Sequence, residues 1–339
     1  DALAQYPIGH RTTDYRDLQS KVVSGIKECL YTEQSVLVST SSATGLMEAG
    51  VRNLSKKKVA NFVCGAFSKK QAAITRACGL NQDVFEVEWG QAITAEHVND
   101  VLSKGDYDLV TIVFNETSTG VMNPLQEIAD VVNNYDDVLL MVDAVSGMMG
   151  APIKIDEWGV DMALASVQKA WALPPGFAIT SLSDRALARS HSIPDAQKGF
   201  YFDFVRMHKA GEKSETPVTP SIPHLYGLSV QLDRIKAEGL ENRFARHREM
   251  ADRVRDWGRD KFGLFAEPGY ESDTLTCFNN DANIDLLALA DAMKSKNYLI
   301  SGGYGDLKGK TFRLAHMGDL KMADINDVLD VLDGVIETL

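Results

Sequence analysis

Four places in the 339-residue chain hold side chains whose types and spacing could do chemistry. The first is Ser39-Thr40-Ser41-Ser42-Ala43-Thr44-Gly45, a run of hydroxyls and small residues between an apolar stretch and a helical pattern. Unpaired backbone N–H groups and the positive end of a helix dipole favour an anion there, and small side chains let a phosphate approach. The same residues are also ordinary helix caps. The second is Asp143, directly after Val138-Leu139-Leu140-Met141-Val142. A carboxylate at the end of a buried strand is costly unless a cation or strong donors meet it. It therefore either faces a cationic group, such as a protonated ring nitrogen, or forms a structural ion pair or loop cap.

The third place is Ser166-Val167-Gln168-Lys169-Ala170, with Pro174-Pro175-Gly176 shaping the loop that follows. Lys169 is either a solvated charge or an amine whose pKa is low enough to form a Schiff base. The fourth is Arg313, within Lys310-Thr311-Phe312-Arg313-Leu314 and flanked by Gly302-Gly303 and Gly318. Its guanidinium can clamp a carboxylate through two parallel hydrogen bonds, or serve a structural salt bridge.

These residues need elements to position them. From residue 35 to about 181, short apolar runs alternate with amphipathic segments. The runs predict seven strands: Ser35 to Ser39, Val59 to Cys64, Val84 to Val87, Leu109 to Phe114, Val138 to Val142, Met162 to Ala165 and Phe177 to Ser181. The runs Leu109 to Val113 and Val138 to Val142 are near-continuously apolar rather than alternating, as expected of strands covered on both faces. The expectation is an α/β fold in which a mainly parallel seven-stranded sheet is sandwiched by helices. In such sheets the ligand crevice lies beyond the carboxyl ends of the strands, where three of the four places fall.

Past Pro217, Pro220 and Pro223 the pattern changes to two long helices and then an α+β unit, with strands expected at Leu264 to Ala266, Thr274 to Phe278 and Thr311 to Leu314. The division expected is an amino-terminal arm over 1–20, a large domain over 21–238 and a small domain over 239–339. The chain begins without Met, so the arm is expected to be shortened.

Composition excludes several classes. Lys and Arg number 35 against 47 Asp and Glu, for a net charge of −12, which argues against an extended nucleic-acid footprint. No apolar stretch is long enough to span a bilayer and no signal peptide opens the chain, so a cytoplasmic location is expected. Cys29, Cys64, Cys78 and Cys277 show no metal-ligand or disulfide spacing, so no metal is expected. No GxGxxG follows the first strand, which argues against a nicotinamide-binding domain.

The order and spacing of the motifs are more specific than any one of them. The hydroxyl-rich run, Gly65-Ala66-Phe67-Ser68, Asn115-Glu116-Thr117-Ser118-Thr119-Gly120-Val121, Val142-Asp143-Ala144-Val145-Ser146-Gly147, the Gln168-Lys169 pair and Arg313 together resemble the class V aminotransferases. These are pyridoxal 5'-phosphate enzymes of fold type I, and the resemblance spans nearly the whole chain. It implies that Lys169 carries the cofactor as a Schiff base and moves the substrate proton, while Asp143 pairs with the pyridine nitrogen. Phe67 and Val145 would flank the ring and Thr117 would lie near its phenolic oxygen. Ser42, Ala43, Thr44 and Gln168 would hold the phosphate, which Thr219 of a second subunit would also reach in a homodimer. Arg313 would bind the substrate α-carboxylate. Gly9, His10 and Arg11 resemble an amino-terminal substrate segment, and His10, Arg11 and His316 could add charge for a phosphorylated side chain.

The implied activity is a ping-pong exchange between a small amino acid, alanine or serine, and a 2-oxo acid, glyoxylate or pyruvate. Phosphoserine transamination is the alternative, with cysteine desulfuration or a non-catalytic cofactor-binding module behind it. Desulfuration would need a mobile cysteine; Cys277 is the candidate, inside a strand-like run, and Gln168 stands where desulfurases usually carry His. One departure from the family pattern is Thr216, where some relatives place a tyrosine that contacts the phosphate.

Overall fold

A computed structural model describes residues 1–339. Its strands, in chain order, are β1 (Ser35–Ser39), β2 (Val59–Val63), β3 (Gln82–Glu86), β4 (Leu109–Val113), β5 (Asn115–Glu116), β6 (Val121–Met122), β7 (Leu139–Asp143), β8 (Met162–Ser166), β9 (Ala178–Leu182), β10 (Leu275–Asn279), β11 (Ser301–Gly302) and β12 (Thr311–Ala315). Seven of them form the main sheet, in the order β1-β9-β8-β7-β4-β2-β3. Pairings among β8, β7, β4, β2 and β3 are parallel, whereas β9 is antiparallel to both β8 and β1, so β9 alone runs against the others.

The continuously apolar runs behave as their composition requires. Every residue of β2, β4, β7, β8 and β9 is buried, because helices cover both faces of the sheet. One face packs on a cluster built from the Thr13–Cys29 and Ile222–Glu238 helices; the other packs on the Ala43–Leu54 helix. Parallel order places the carboxyl ends of β7 and β8 side by side, which brings Asp143 and the start of the Lys169 loop to one edge.

A separate three-stranded sheet, β10-β12-β11, packs with the Leu240–Phe262 and Met322–Ile336 helices around Phe262, Phe278 and Phe312. Two details differ from the sequence expectation. The run Leu264 to Ala266 makes only an isolated bridge, Leu264 to Phe278, and the third strand is instead Ser301–Gly302, too short and glycine-rich to show as a pattern. Residues 13–20, assigned above to an arm, are the first turns of a 17-residue helix capped by Thr12. No helix is long and apolar enough to cross a membrane.

Candidate active site

A cavity of about 260 Å³ opens at the carboxyl edge of the main sheet. Ser42, Ala43, Thr44, Phe67, Thr117, Asp143, Val145, Gln168 and Lys169 all line it, from segments spread over more than a hundred positions of sequence. Helix and strand ends explain the convergence. The Ala43–Leu54 helix starts just beyond β1, and its N-cap residue Ser42 makes no side-chain capping bond. Plain capping therefore does not account for that hydroxyl. Ala43 N–H donates to Ser166 Oγ at 2.7 Å, which ties the helix start to the strand leading to Lys169.

Asp143 and Lys169 have unusual surroundings. Asp143 is buried and no cationic side chain lies within ion-pair distance of it; its carboxylate accepts one hydrogen bond, from Val145 N–H at 2.9 Å. Burial, reinforced by the charge of Glu116, outweighs that bond and the more distant Lys70, and the carboxyl is pushed up to about 7. Lys169 makes neither an ion pair nor a hydrogen bond through its amine. Burial, with Arg313 nearby, lowers its pKa and so favours the neutral amine. Thr117 Oγ1 lies 2.8 Å from Ser146 Oγ. Since Ser146 donates its own proton to the Asn115 carbonyl at 2.8 Å, Thr117 is the donor of that pair.

A second cavity of about 210 Å³ adjoins the first and shares Phe67, Thr117 and Lys169 with it. Its remaining wall includes Leu275, Ser301, Tyr304, Arg313, Ala315 and Met317. Arg313 has no carboxylate partner. Its Nη1 donates to the Thr117 carbonyl at 3.0 Å, and Nε and Nη2 donate to the Gly302 carbonyl at 3.2 and 3.0 Å. The guanidinium is thus aimed by neutral carbonyls with its charge uncompensated, which disfavours the structural salt bridge.

Other named residues lie elsewhere. Gly9, His10 and Arg11 line neither cavity; the Gly9 carbonyl accepts from the hydroxyl and N–H of Thr12 at the entry to the first helix. Thr219 is exposed in the Pro217–Pro220 loop and lines neither cavity of its own chain. His316 corrects an expectation: it is wholly buried, bonded to Thr276 and to the Asp273 carbonyl, and desolvation pushes its pKa down to about 3. It is neutral and supplies no positive charge.

Three residues gained no role from sequence. Glu116 is fully buried, and its carboxylate accepts from the N–H groups of Phe67, Ser68 and Ser118. It caps the Ala66–Ala77 helix and so holds Phe67 over the cavity. Gly65 makes room for it, because a Cβ there would lie 2.5 Å from Glu116 Cγ. Glu116→Ala is expected to cost about 3 kcal/mol by stranding these donors, read as a lower urea midpoint. Lys70 lines the cavity and donates to Thr44 Oγ1 at 2.8 Å. Tyr304 sits with its ring 5.4 Å from that of Phe67 and 5.9 Å from the Arg313 guanidinium. Its contacts join the Ala66–Ala77 helix to the small sheet, so no local pattern announces them.

A larger groove, about 330 Å³, lies between the Thr13–Cys29 and Ile222–Glu238 helices. Its charged groups neutralise one another, Lys21 with Asp233 and Lys236 with Glu28, so it offers no comparable chemistry.

Comparison with known proteins agrees with the geometry. The family model Aminotransferase class-V matches residues 12–279. An uncharacterized aminotransferase of Methanocaldococcus jannaschii is 37% identical over 325 residues, covering 94% of this chain and 84% of its own length. The serine–glyoxylate aminotransferase of Hyphomicrobium methylovorum is 33% identical over 304 residues, 87% of this chain and 75% of its own. The crystal structure of alanine–glyoxylate aminotransferase from Nostoc sp. has a TM-score of 0.94 at 26% identity, covering 99% of this chain and 90% of that one. The architecture is that of the fold type I transferases. The chain belongs to the class V aminotransferases.

Proposed function

We propose that the chain uses pyridoxal 5'-phosphate to move an amino group between a small amino acid, alanine or serine, and a 2-oxo acid such as glyoxylate or pyruvate. The observation that carries this reading is one cavity holding a buried carboxylate without a cation and an amine without a partner, next to an arginine with uncompensated charge.

The donor set suits the cofactor. Asp143 offers the anion that a protonated ring nitrogen needs, and the start of the Ala43–Leu54 helix, with Ser42, Thr44 and Gln168, offers donors for a phosphate. The buried Oδ1 of Asn115, also in the wall, has no donor within the chain. When bound, the cofactor supplies an electron sink that stabilises negative charge at the substrate Cα.

The protein's own groups supply the rest. Lys169 Nζ, held toward its neutral form, takes up and returns the substrate proton. Asp143 would hold a negative charge for the ring nitrogen, Phe67 and Val145 would offer apolar surface to the ring, and Thr117 would present a hydroxyl. Arg313, held in plane by the Thr117 and Gly302 carbonyls, receives the α-carboxylate through its outer face. Lys70 adds charge on the phosphate side; Lys70→Ala is expected to weaken cofactor binding about tenfold, by loss of one charge-assisted hydrogen bond, measured by titrating the protein with pyridoxal phosphate.

Substrate size follows from what surrounds Arg313. Apart from Lys169, the other residues around Arg313 carry no positive charge, and the neutral His316 adds none, so the wall within one chain offers no cation beyond Lys169 and Arg313 for a phosphorylated side chain. Cysteine desulfuration is disfavoured because Cys277 is buried inside β10, where burial pushes its thiol up to about 11. A panel of half-reactions tests the choice: alanine, serine, phosphoserine, aspartate and cysteine are added singly and the loss of the cofactor's visible band is followed. Alanine or serine is expected to react fastest; bleaching by phosphoserine alone overturns the assignment.

The proposal includes a homodimer in which Thr219 of one subunit reaches the phosphate site of the other; its exposure, away from its own cavity, supports that arrangement. Sedimentation velocity reports the assembly, with a monomer as the contrary result. A cytoplasmic location is also proposed, since four unpaired cysteines suit a reducing compartment; cell fractionation checks it.

A further inference from the structure

One buried charge has no part in the proposed chemistry. Arg243, in the Leu240–Phe262 helix, is 1% exposed and lines neither cavity. Its guanidinium reaches both loops that carry the proposed chemistry. Nη2 donates to the carbonyl of Ala170, the residue after Lys169, at 2.7 Å. Nε donates to the carbonyl of Met149, in the turn that follows Asp143, at 3.2 Å. Its charge is met by Glu238, 2.9 Å from Nη1, and by Asp319, 3.4 Å from Nη1 and Nη2. A planar fork of five donors can span these acceptors; an ammonium cannot.

Both loops contain strained backbone. Met149 and Ala172 have φ of 71° and 56°, in the left-handed region although each has a Cβ. Such residues persist where their surroundings over-determine them, and they cluster at functional sites. A second brace comes from one turn further along the same helix. His247 Nδ1 donates to the Arg243 carbonyl at 2.7 Å and Nε2 accepts from Gly318 N–H at 3.0 Å, an arrangement only the neutral ring can satisfy. Gly318 in turn lies against the strained residue: a Cβ on it would come within 3.3 Å of Ala172 Cβ.

We propose that Arg243 is a positioning residue: by holding the Ala170 and Met149 carbonyls at once, it fixes the Lys169 turn relative to the Asp143 turn. This rests on the function proposed above, since it supposes that the two side chains act on one bound cofactor.

The test uses Arg243→Lys in the full chain reconstituted with pyridoxal phosphate, beside Val254→Ala, a buried change on the same helix that faces only the small-sheet cluster. Three quantities are read: the dissociation constant for pyridoxal phosphate from tryptophan fluorescence, the pH midpoint of the visible band, and kcat against KM for the best amino donor. Misplacement of reacting groups by an ångström costs on the order of a hundredfold. Arg243→Lys is expected to lower kcat by about that factor with KM little changed, and to shift the band's midpoint and weaken cofactor binding. Val254→Ala is expected to lower thermal stability alone. If the two variants behave alike, the inference is wrong while the function stands; if the parent gains no visible band with pyridoxal phosphate, the function fails and takes the inference with it. Should Arg243→Lys not fold, Glu238→Gln, which loosens the guanidinium from the other side, carries the same readouts, and parental values for all three overturn the proposal.

Discussion

Lys169→Ala is expected to abolish turnover and, with pyridoxal phosphate supplied, to leave the protein without the visible band of the parent. The effect is large because two functions reside in one atom. Nζ is the only amine shared by both cavities, so it is the proposed site of covalent attachment and the proposed carrier of the substrate proton. Loss of a positioned acid–base group alone costs up to about 10⁴-fold, and loss of the covalent step adds to it. Stability should not fall in parallel. The Lys169 amine makes no ion pair or hydrogen bond, and removing it relieves the desolvation that its charged form suffers. An inactive variant whose cofactor-free form melts at an unchanged or higher temperature than the cofactor-free parent is therefore the expected result, measured by absorbance, steady-state rates and calorimetry. Retention of both band and turnover would remove Lys169 from the mechanism.

Asp143→Asn is expected to move activity and stability in opposite directions. The carboxyl is raised to about 7 by burial, against 3.8 for an ordinary aspartate, so between those pH values the folded chain binds more protons than the unfolded one. Stability of the cofactor-free protein accordingly falls as pH rises from about 4 to about 7 and then levels off. At about 1.4 kcal/mol per tenfold change in acidity, the penalty at pH 8 has an upper bound of about 4 kcal/mol. Asparagine keeps the oxygen that accepts from Val145 N–H and removes the charge. The cofactor-free variant should be more stable than the parent at pH 8 and no more stable near pH 4, as urea titrations at the two pH values would report. Turnover should fall by about a thousandfold, the scale of losing a preorganised electrostatic partner in a dry site. Equal stability at both pH values would show that the carboxylate is already compensated in the folded chain.

The site was legible to different depths. Apolar runs ending in chemistry-bearing residues marked Asp143 and Lys169, because a parallel sheet puts its crevice beyond strand ends whatever the loops do. The hydroxyl run could be read as a cap or as an anion site, and whether Ser42 makes a capping bond, which it does not, is a matter of local geometry that spacing does not announce. Arg313 stood equally between a salt bridge and a ligand clamp, and only packing shows that its partners are carbonyls rather than carboxylates. Glu116 was invisible in its main role: the N–H groups it caps belong to a helix start about fifty residues earlier. His316 was misread for a related reason, since burial decides whether a histidine carries charge and burial is a property of the packed molecule.

The sequence by itself determined the alternation of elements, the double-sided burial of the central strands and the types of group available, since these follow from periodicity and composition. Only the tertiary structure decided which of those groups meet. Asp143 and Lys169 become neighbours because β7 and β8 pair in parallel, and Arg313 joins them because a second sheet packs across the crevice. Whether a carboxylate is raised, an amine lowered or a histidine kept neutral depends on desolvation and on charges distant in sequence, and those are properties of the folded chain.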